Sequence, residues 1–162
     1  MNIKTLVINA LVAAMYIAVT ALVAPFGFTH IQFRLSELFN HLIIFNKKYF
    51  FGIVLGVLLA NFFFSPMKQD MIFGVIHTAL SLGITLTFGL FIKKKLALMF
   101  INTAVFSVNM FIIAYMLKVY AALPEAFMFL WVTAGASEFL TMGICIPLML
   151  YLNKRLKFNE LI

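Results

Sequence analysis

Long uncharged runs separated by short charged clusters dominate the pattern of the chain. The uncharged runs cover residues 5–29, 49–67, 71–92 and 96–117. A further apolar run, 126–153, contains one charged residue, Glu138. Each run is close to the roughly 20 residues that an α-helix needs to cross about 30 Å of hydrocarbon. Because backbone polar groups must be satisfied inside lipid, each run is predicted to form a membrane-spanning helix.

The charged clusters and prolines between these runs lead to a prediction of six helices. Their expected bounds are 4–24, 34–46, 49–65, 70–92, 96–118 and 126–152. The second helix would extend only about 20 Å at the usual rise per residue, so it is not expected to cross the membrane alone. The sequence thus predicts an all-α integral membrane protein, a six-helix bundle with a short second helix, forming one transmembrane domain over residues 1–162.

The composition agrees with a membrane protein and explains the excess of positive charge. The mean hydropathy is +1.11, and 65% of the residues are hydrophobic while 10% are charged, which lies outside the range of soluble proteins. The formal net charge of +7 would suit a nucleic-acid partner, but the basic residues follow the predicted helix ends. We therefore expect lipid, and no nucleic acid, as the partner of the basic groups.

The distribution of the basic residues also predicts the orientation of the chain. With a cytoplasmic N-terminus, the basic residues on the inner side are Lys4, Lys47, Lys48, Lys93, Lys94, Lys95, Lys154, Arg155 and Lys157. Those on the outer side are Arg34, Lys68 and Lys118. This positive-inside pattern predicts cytoplasmic N- and C-termini.

Glu138 is the residue whose placement in the apolar pattern costs the most free energy. An ionised side chain near the centre of a bilayer costs about 2.5–3.5 kcal/mol, so it is expected to face a cavity or a partner. Gly135 and Gly143 on the same predicted helix are expected to leave space beside the carboxylate. A contact with a ligand is one interpretation. The alternatives are an ion pair with Arg34 and a hydrogen bond with Asn109.

Two amides and a second carboxylate are further candidates for a binding site. Asn61 and Asn109 lie in apolar helices, and each must point inward because an unpaired amide is costly in lipid. Interhelical hydrogen bonds explain either amide as well as ligand contacts do. Asp70 begins the fourth predicted helix, where a carboxylate caps free N–H groups and complements the helix dipole; contact with a ligand is the other interpretation.

The stretch "FRLSELFNHL", residues 33–42, places several polar groups at the start of the second predicted helix. Arg34, Glu37 and His41 follow a spacing of i, i+3 and i+7, so they are expected to share one face of an α-helix. We interpret this face as the outer rim of a solute pocket. A simple ion pair between Arg34 and Glu37 is the alternative.

Several kinds of site lack support in the sequence. His30, His41 and His77 do not have the spacing of a metal site, and no HExxH or CxxC sequence accompanies them, so no metal is expected. There is also no GxxxxGK[ST] loop, so active transport would need a partner that supplies energy. A membrane enzyme with Glu138 and His77 as acid and base, and a scaffolding protein, are alternatives to a solute-binding subunit.

A ridge of alanines runs along the first predicted helix. Ala10, Ala14 and Ala18 recur every four residues, which gives a smooth surface that another helix can approach closely. The ridge serves either packing within this chain or the docking of a partner subunit.

Several segments together resemble the QueT family of transporters. After the alanine ridge come "IQFRLSE" (31–37), "LLANFFF" (58–64), "DMIFGVIHTAL" (70–80), "VNMFIIAYML" (108–117) and "LWVTAGASEFLTMGICIPLML" (130–150). The resemblance implies the substrate-binding S component of an energy-coupling factor (ECF) transporter in the bacterial plasma membrane. Such a component is not an enzyme and holds no cofactor. Its implied partners are a transmembrane coupling protein and two ATPase subunits, with Ala10, Ala14 and Ala18 as the docking face.

The resemblance also implies a substrate, a 7-deazaguanine precursor of queuosine; a different vitamin or base-like solute is the alternative. The predicted substrate-binding residues are Arg34, Glu37, Asn61, Asp70, Asn109 and Glu138. Glu138 would accept the N1–H and the exocyclic amine of the base through charge-assisted hydrogen bonds. Asn109 or Asn61 would donate to O6, and Asp70 or Glu37 would meet an aminomethyl cation.

Overall fold

The computed structural model of the chain describes residues 2–27 and 34–162, and within them every regular element is helical. The α-helices are α1 (Ile3–Gly27), α2 (Phe50–Phe64), α3 (Gln69–Phe91), α4 (Lys95–Asn109), α5 (Phe111–Tyr120), α6 (Phe127–Leu156) and α7 (Phe158–Leu161). Two 3-10 segments, Leu35–Ile44 and Lys47–Tyr49, precede α2. The predicted all-α class is confirmed.

Five helical stretches of the described chain are long and apolar enough to cross a membrane. They are Ile3–Ala24, Lys47–Phe64, Gln69–Phe91, Lys95–Tyr120 and Phe127–Leu156. They correspond to the first, third, fourth, fifth and sixth predicted helices. The second predicted helix is the shorter apolar segment Leu35–Ile44, as expected. The side of the membrane on which each terminus lies stays a prediction.

The second predicted helix differs from the expectation in its form. Leu35–Ile44 is a 3-10 helix, and most of its side chains are buried among α1, α3, α4 and α6. A 3-10 helix has three residues per turn, so residues i and i+3 eclipse each other. Glu37 therefore aligns with Asn40, and the predicted common face of Glu37 and His41 is wrong. Enclosure on all sides makes this segment the centre of the bundle.

Two glycines of α2 allow the close contact between α1 and α2. A Cβ atom at Gly52 would lie 2.6 Å from Asn9 Oδ1, and one at Gly56 would lie 2.8 Å from Tyr16 Cβ. Without those Cβ atoms the two helices approach closely, as in other small-residue contacts between membrane helices. Asn9 Oδ1 accepts the backbone N–H of Gly52 at 2.7 Å. The sequence interpretation missed this contact.

The alanine ridge lies away from this contact. The face of α1 that packs on α2 carries Asn9, Ala13 and Tyr16, and these three residues are buried. The residues of the ridge are all exposed: Ala10, Ala14 and Ala18. Packing of the ridge against the described residues of this chain, one of the two alternatives, is therefore wrong.

The fifth predicted helix is interrupted at Met110, where α4 ends and α5 begins. The Trp131 indole on α6 donates to the carbonyl of Val108, with Nε1 2.8 Å from the oxygen. The indole also contacts the ring of Phe111. Trp131 thus satisfies a backbone acceptor next to the interruption. An indole N–H and a backbone carbonyl inside a membrane protein both require a hydrogen-bond partner.

Gly135 brings α6 against α4. A Cβ atom at this position would lie 2.8 Å from the carbonyl oxygen of Ser107, and Ser107 Oγ donates to the Gly135 carbonyl at 2.6 Å. The expectation that Gly135 leaves space beside Glu138 is therefore wrong, because α4 fills that space. Gly143, by contrast, has no described neighbour within 4 Å of an added Cβ.

Candidate functional site

Four charged side chains from separate parts of the sequence come together inside the bundle, and we call them the charged cluster. They are Arg34, Glu37, Asp70 and Glu138, with exposed fractions of 7%, 2%, 3% and 1%. Arg34 immediately precedes the central 3-10 helix, which carries Glu37, whereas Asp70 and Glu138 come from α3 and α6. Glu138 interacts electrostatically with both Glu37 and Arg34. Such complete burial of charge requires partners or a ligand.

Arg34 forms an ion pair with Asp70. Its Nη2 lies 3.2 Å from Oδ1 and 3.1 Å from Oδ2 of the carboxylate, and Ser65 Oγ donates to Oδ2 at 2.8 Å. Burial lowers the pKa of Arg34, but the Asp70 and Glu37 carboxylates raise it, and the net pKa lies above the ordinary value. An arginine side chain stays charged in proteins, and the guanidinium of Arg34 holds Asp70 in place.

The predicted capping role of Asp70 is wrong. The N-cap of α3 is Lys68, and the helix has no side-chain cap hydrogen bond. Instead, the backbone carbonyl of Asp70 accepts from Asn61 Nδ2 at 3.0 Å. Gly74 provides the room for this amide, since an added Cβ there would collide with Asn61 Nδ2. Asn61 thus makes an interhelical contact directly beneath the charged cluster.

Glu37 has two hydrogen-bond donors. Tyr16 Oη donates to Oε1 at 2.8 Å, and Asn40 Nδ2 donates to Oε2. The sequence interpretation missed both donors. The signal for Asn40 was its spacing from Glu37, which is one turn of a 3-10 helix. Tyr16 is the single tyrosine within the uncharged run 5–29, and a buried tyrosine needs a partner for its hydroxyl.

Glu138 differs from the other two carboxylates. Among residues 2–27 and 34–162, its Oε1 is buried and has no hydrogen-bond partner. An unsatisfied buried acceptor costs about 1–3 kcal/mol and calls for an explanation. Asn109, the alternative partner, donates from Nδ2 to Ser81 Oγ at 2.9 Å. The structure therefore connects Asn109 to α3 and leaves an acceptor of Glu138 for another donor.

A second polar group, which we call the His41 network, lies next to the charged cluster. His41 Nε2 is 3.1 Å from the Met142 carbonyl oxygen, and His41 Nδ1 is 3.3 Å from Asn102 Nδ2. Asn102 Nδ2 also donates to the Asn40 carbonyl at 3.3 Å, and Thr85 Oγ1 donates to Asn102 Oδ1 at 2.7 Å. Asn102 was missed although it carries the same signal as Asn61, an amide in an apolar helix.

His77 is a hydrogen-bonded core residue. Its Nε2 lies 3.1 Å from the Phe106 carbonyl oxygen, and its ring contacts the Phe106 ring edge to face. The part of the chain that the structure describes holds no group of three or more His, Cys, Asp or Glu side chains suited to a metal ion. His30 and Phe33 lie outside the described residues.

A separate apolar groove of about 200 Å³ lies on another side of the molecule. Leu11 and Met15 of α1 form one wall, and Leu152 and Leu156 of α6 belong to the opposite one. The side chains on the α1 wall neighbour the exposed alanine ridge along the same helix. The groove shares no lining residue with the charged cluster.

Comparison with known proteins agrees with the sequence resemblance. The sequence profile of the QueT transporter family matches residues 6–154. A curated relative from Lactococcus lactis subsp. cremoris (strain MG1363), named queuosine precursor transporter QueT, is 35% identical over 160 residues, which covers 93% of this chain and 93% of the relative. No solved structure gave a significant match.

Proposed function

The chain belongs to the QueT transporter family, and from this membership we propose that it is the substrate-binding S component of an ECF transporter. Membership makes the chain a transporter, so the predicted enzyme alternative, with Glu138 and His77 as acid and base, is excluded. Together with the five apolar spans, it also makes the chain a multi-pass protein of the cell membrane.

The proposed substrate is a 7-deazaguanine precursor of queuosine. The name of the Lactococcus relative supports this class of solute. A 7-deazaguanine presents N1–H and an exocyclic amine side by side, and a carboxylate accepts both through charge-assisted hydrogen bonds. The observation that carries the assignment is the buried Oε1 of Glu138, which has no partner among the described residues.

Glu37 is the proposed partner of a cationic substituent at position 7. Its two oxygens accept from Tyr16 and Asn40, and a carboxylate has further lone pairs for an additional donor. Asp70 is committed to Arg34 and Ser65, so within this proposal the Arg34–Asp70 pair holds the wall of the site. The charge of Glu37 complements an aminomethyl cation.

Two amides remain candidates for O6 of the base. Asn61 and Asn109 each use one N–H in a contact with α3. An amide carries two N–H groups, and the proposal assigns the second N–H of one of these amides to O6. Because N7 is replaced by carbon in a 7-deazaguanine, the arginine fork that usually reads O6 and N7 of guanine has only one acceptor to bind.

A binding measurement on the purified protein tests the substrate assignment. Calorimetric titration with 7-aminomethyl-7-deazaguanine should show saturable binding with one site per chain. A set of common vitamins titrated in the same way is the comparison. Binding of a vitamin without binding of any 7-deazaguanine would instead favour the alternative, an S component for a different solute.

The exposed face of α1 is the proposed docking surface for the coupling protein. Ala10, Ala14 and Ala18 are exposed, and small residues permit close helix approach where no hydrophobic force acts between helices in lipid. The groove beside the ridge would receive larger apolar side chains of the same partner. In this arrangement, the coupling protein and two ATPases would drive release of the solute inside the cell.

A further inference from the structure

We propose that His41 and Asn102 are positioning residues that set the separation between the carboxylates of Glu37 and Glu138. This separation would select ligands that engage both carboxylates at once. The inference rests on the function proposed above, and it concerns residues that make no contact with the solute in that proposal.

The first link joins Glu37 to α4. Asn40 donates its side chain to Glu37 Oε2, and its backbone carbonyl accepts from Asn102 Nδ2 at 3.3 Å. The turn of 3-10 helix that carries Glu37 is thus attached to α4 at Asn102. A shift of this turn relative to α4 would break the bond at the Asn40 carbonyl and move the Glu37 carboxylate.

The second link joins the same 3-10 helix to the helix of Glu138. His41 Nε2 lies 3.1 Å from the Met142 carbonyl oxygen; since a carbonyl only accepts, Nε2 carries the hydrogen and donates. Nδ1 is then the acceptor for Asn102 Nδ2 at 3.3 Å. Met142 follows Glu138 by about one helical turn. His41 therefore connects the segment of Glu37 to the segment of Glu138.

The Asn40 carbonyl gives the network one direction. Because a carbonyl only accepts, the nitrogen of the Asn102 amide must face Asn40 and His41, and Asn102 Oδ1 then accepts from Thr85 Oγ1 at 2.7 Å. Both hydrogens of that nitrogen then have acceptors, and His41 has one donor and one acceptor position in use. His41 and Asn102 are 0% exposed and Thr85 is 1% exposed. The side-chain nitrogen and oxygen atoms of His41 and Asn102 all have partners, whereas Asn40 Oδ1 is buried without one among the described residues. A buried network of this kind favours one arrangement of the elements that it joins.

The link from His41 meets α6 next to a gap in the backbone hydrogen bonds of that helix. Pro147 lies inside α6 and has no N–H, so the Gly143 carbonyl lacks its usual helical hydrogen bond. Gly143 also has no described neighbour within 4 Å of an added Cβ. The backbone of α6 thus lacks one hydrogen bond just beyond Met142, although the side chains of Cys145, Ile146 and Met149 in this segment are buried. The bond from His41 fixes α6 on the side of Glu138.

Two substitutions of His41 test its contact with Met142 and its contact with Asn102 separately. Glutamine places an amide nitrogen near the position of Nε2 and keeps a donor for the Met142 carbonyl, whereas asparagine places an oxygen near Nδ1 and reaches only Asn102. Calorimetry would compare 7-aminomethyl-7-deazaguanine, which engages both carboxylates, with 7-deazaguanine, which engages Glu138 alone. His41→Asn should reduce the preference for the aminomethyl ligand about tenfold, the loss of one charged hydrogen bond. His41→Gln should keep the wild-type preference.

The ratio of the affinities for 7-aminomethyl-7-deazaguanine and 7-deazaguanine distinguishes a positioning role of His41 from a purely structural one. If His41→Asn weakens both ligands equally, the network stabilises the fold only and the inference is overturned. If the wild-type protein binds neither ligand, the proposed substrate class itself fails, which is a separate result.

Thr85 provides a second pair if either His41 variant does not fold. Thr85→Val removes the donor to Asn102 and should lower the ratio of the affinities for the two ligands. Thr85→Ser retains the hydroxyl and should keep the wild-type ratio. A folded Thr85→Val protein with the wild-type ratio would also overturn the inference.

Discussion

Arg34 and Asp70, which lie 36 residues apart in the sequence, form a buried ion pair with Nη2 3.1 Å from Oδ2. The pair connects the start of the central 3-10 helix to the first turn of α3. Glu37, the close neighbour of Arg34 in sequence, accepts from Tyr16 and Asn40. The stretch "FRLSELFNHL" therefore contributes its charges to two different contacts within one cluster.

Removal of one partner from this pair should destabilise the protein strongly. Asp70→Asn leaves the Arg34 guanidinium buried without its counter-charge, and such changes typically cost about 3–5 kcal/mol. We expect a marked fall in the thermal unfolding temperature in detergent. Glu160→Gln is the matched control, because it disrupts the exposed Lys157–Glu160 pair, and exposed pairs contribute little. Equal unfolding temperatures for the two variants would contradict a stabilising role for the Arg34–Asp70 pair.

Glu138→Gln should weaken solute binding without loss of the fold. Glutamine keeps the shape of the side chain but removes the charge and one of two acceptors, so about 1.5–3 kcal/mol should be lost, roughly 10- to 150-fold in affinity. Titration calorimetry with 7-aminomethyl-7-deazaguanine measures the change. Glu160→Gln, at an exposed carboxylate, should bind as the wild type does. Unchanged affinity in Glu138→Gln would remove Glu138 from the site.

Ala14→Trp should abolish uptake and leave solute binding intact. The indole would stand on the exposed alanine ridge and keep a partner helix at a distance. Uptake is measured in cells that also produce the coupling protein and ATPases, and binding is measured on the purified chain. Ala104→Trp is the control, because Ala104 is exposed on α4. Normal uptake by Ala14→Trp would show that the ridge faces lipid rather than the coupling protein.

Gly56→Ala should destabilise the contact between α1 and α2. The added methyl group would lie 2.8 Å from Tyr16 Cβ, and overpacking of this kind costs about 1–3 kcal/mol. Gly83→Ala on α3 is the matched control, since nothing described lies within 4 Å of its added Cβ and alanine is the better helix former. Thermal unfolding should therefore separate the two variants. A higher unfolding temperature for Gly56→Ala than for Gly83→Ala would contradict the tight contact.

The sequence determined the all-α fold class, the membrane-spanning segments and most of the residues of the charged cluster. Hydrocarbon thickness sets the length of an apolar run and lipid forces it into a helix, so the predicted 70–92 agrees closely with Gln69–Phe91. In so apolar a chain each charge within a run must be buried or paired. Glu138 was recognisable for that reason before any contact was known, whereas Glu37 and Asp70 were recognised from their positions at the starts of predicted helices.

Only the tertiary structure decided how those groups pair and how the backbone around them is shaped. The partners Arg34 and Asp70 come from distant parts of the chain, and local spacing carries no information about such pairs. The 3-10 form of Leu35–Ile44 and its burial among the surrounding helices were likewise not visible in the sequence pattern. The same holds for Gly135, whose missing side chain admits Ser107 of α4. Packing between helices, rather than periodicity along one helix, thus left the buried oxygen of Glu138 as the acceptor that we propose the solute satisfies.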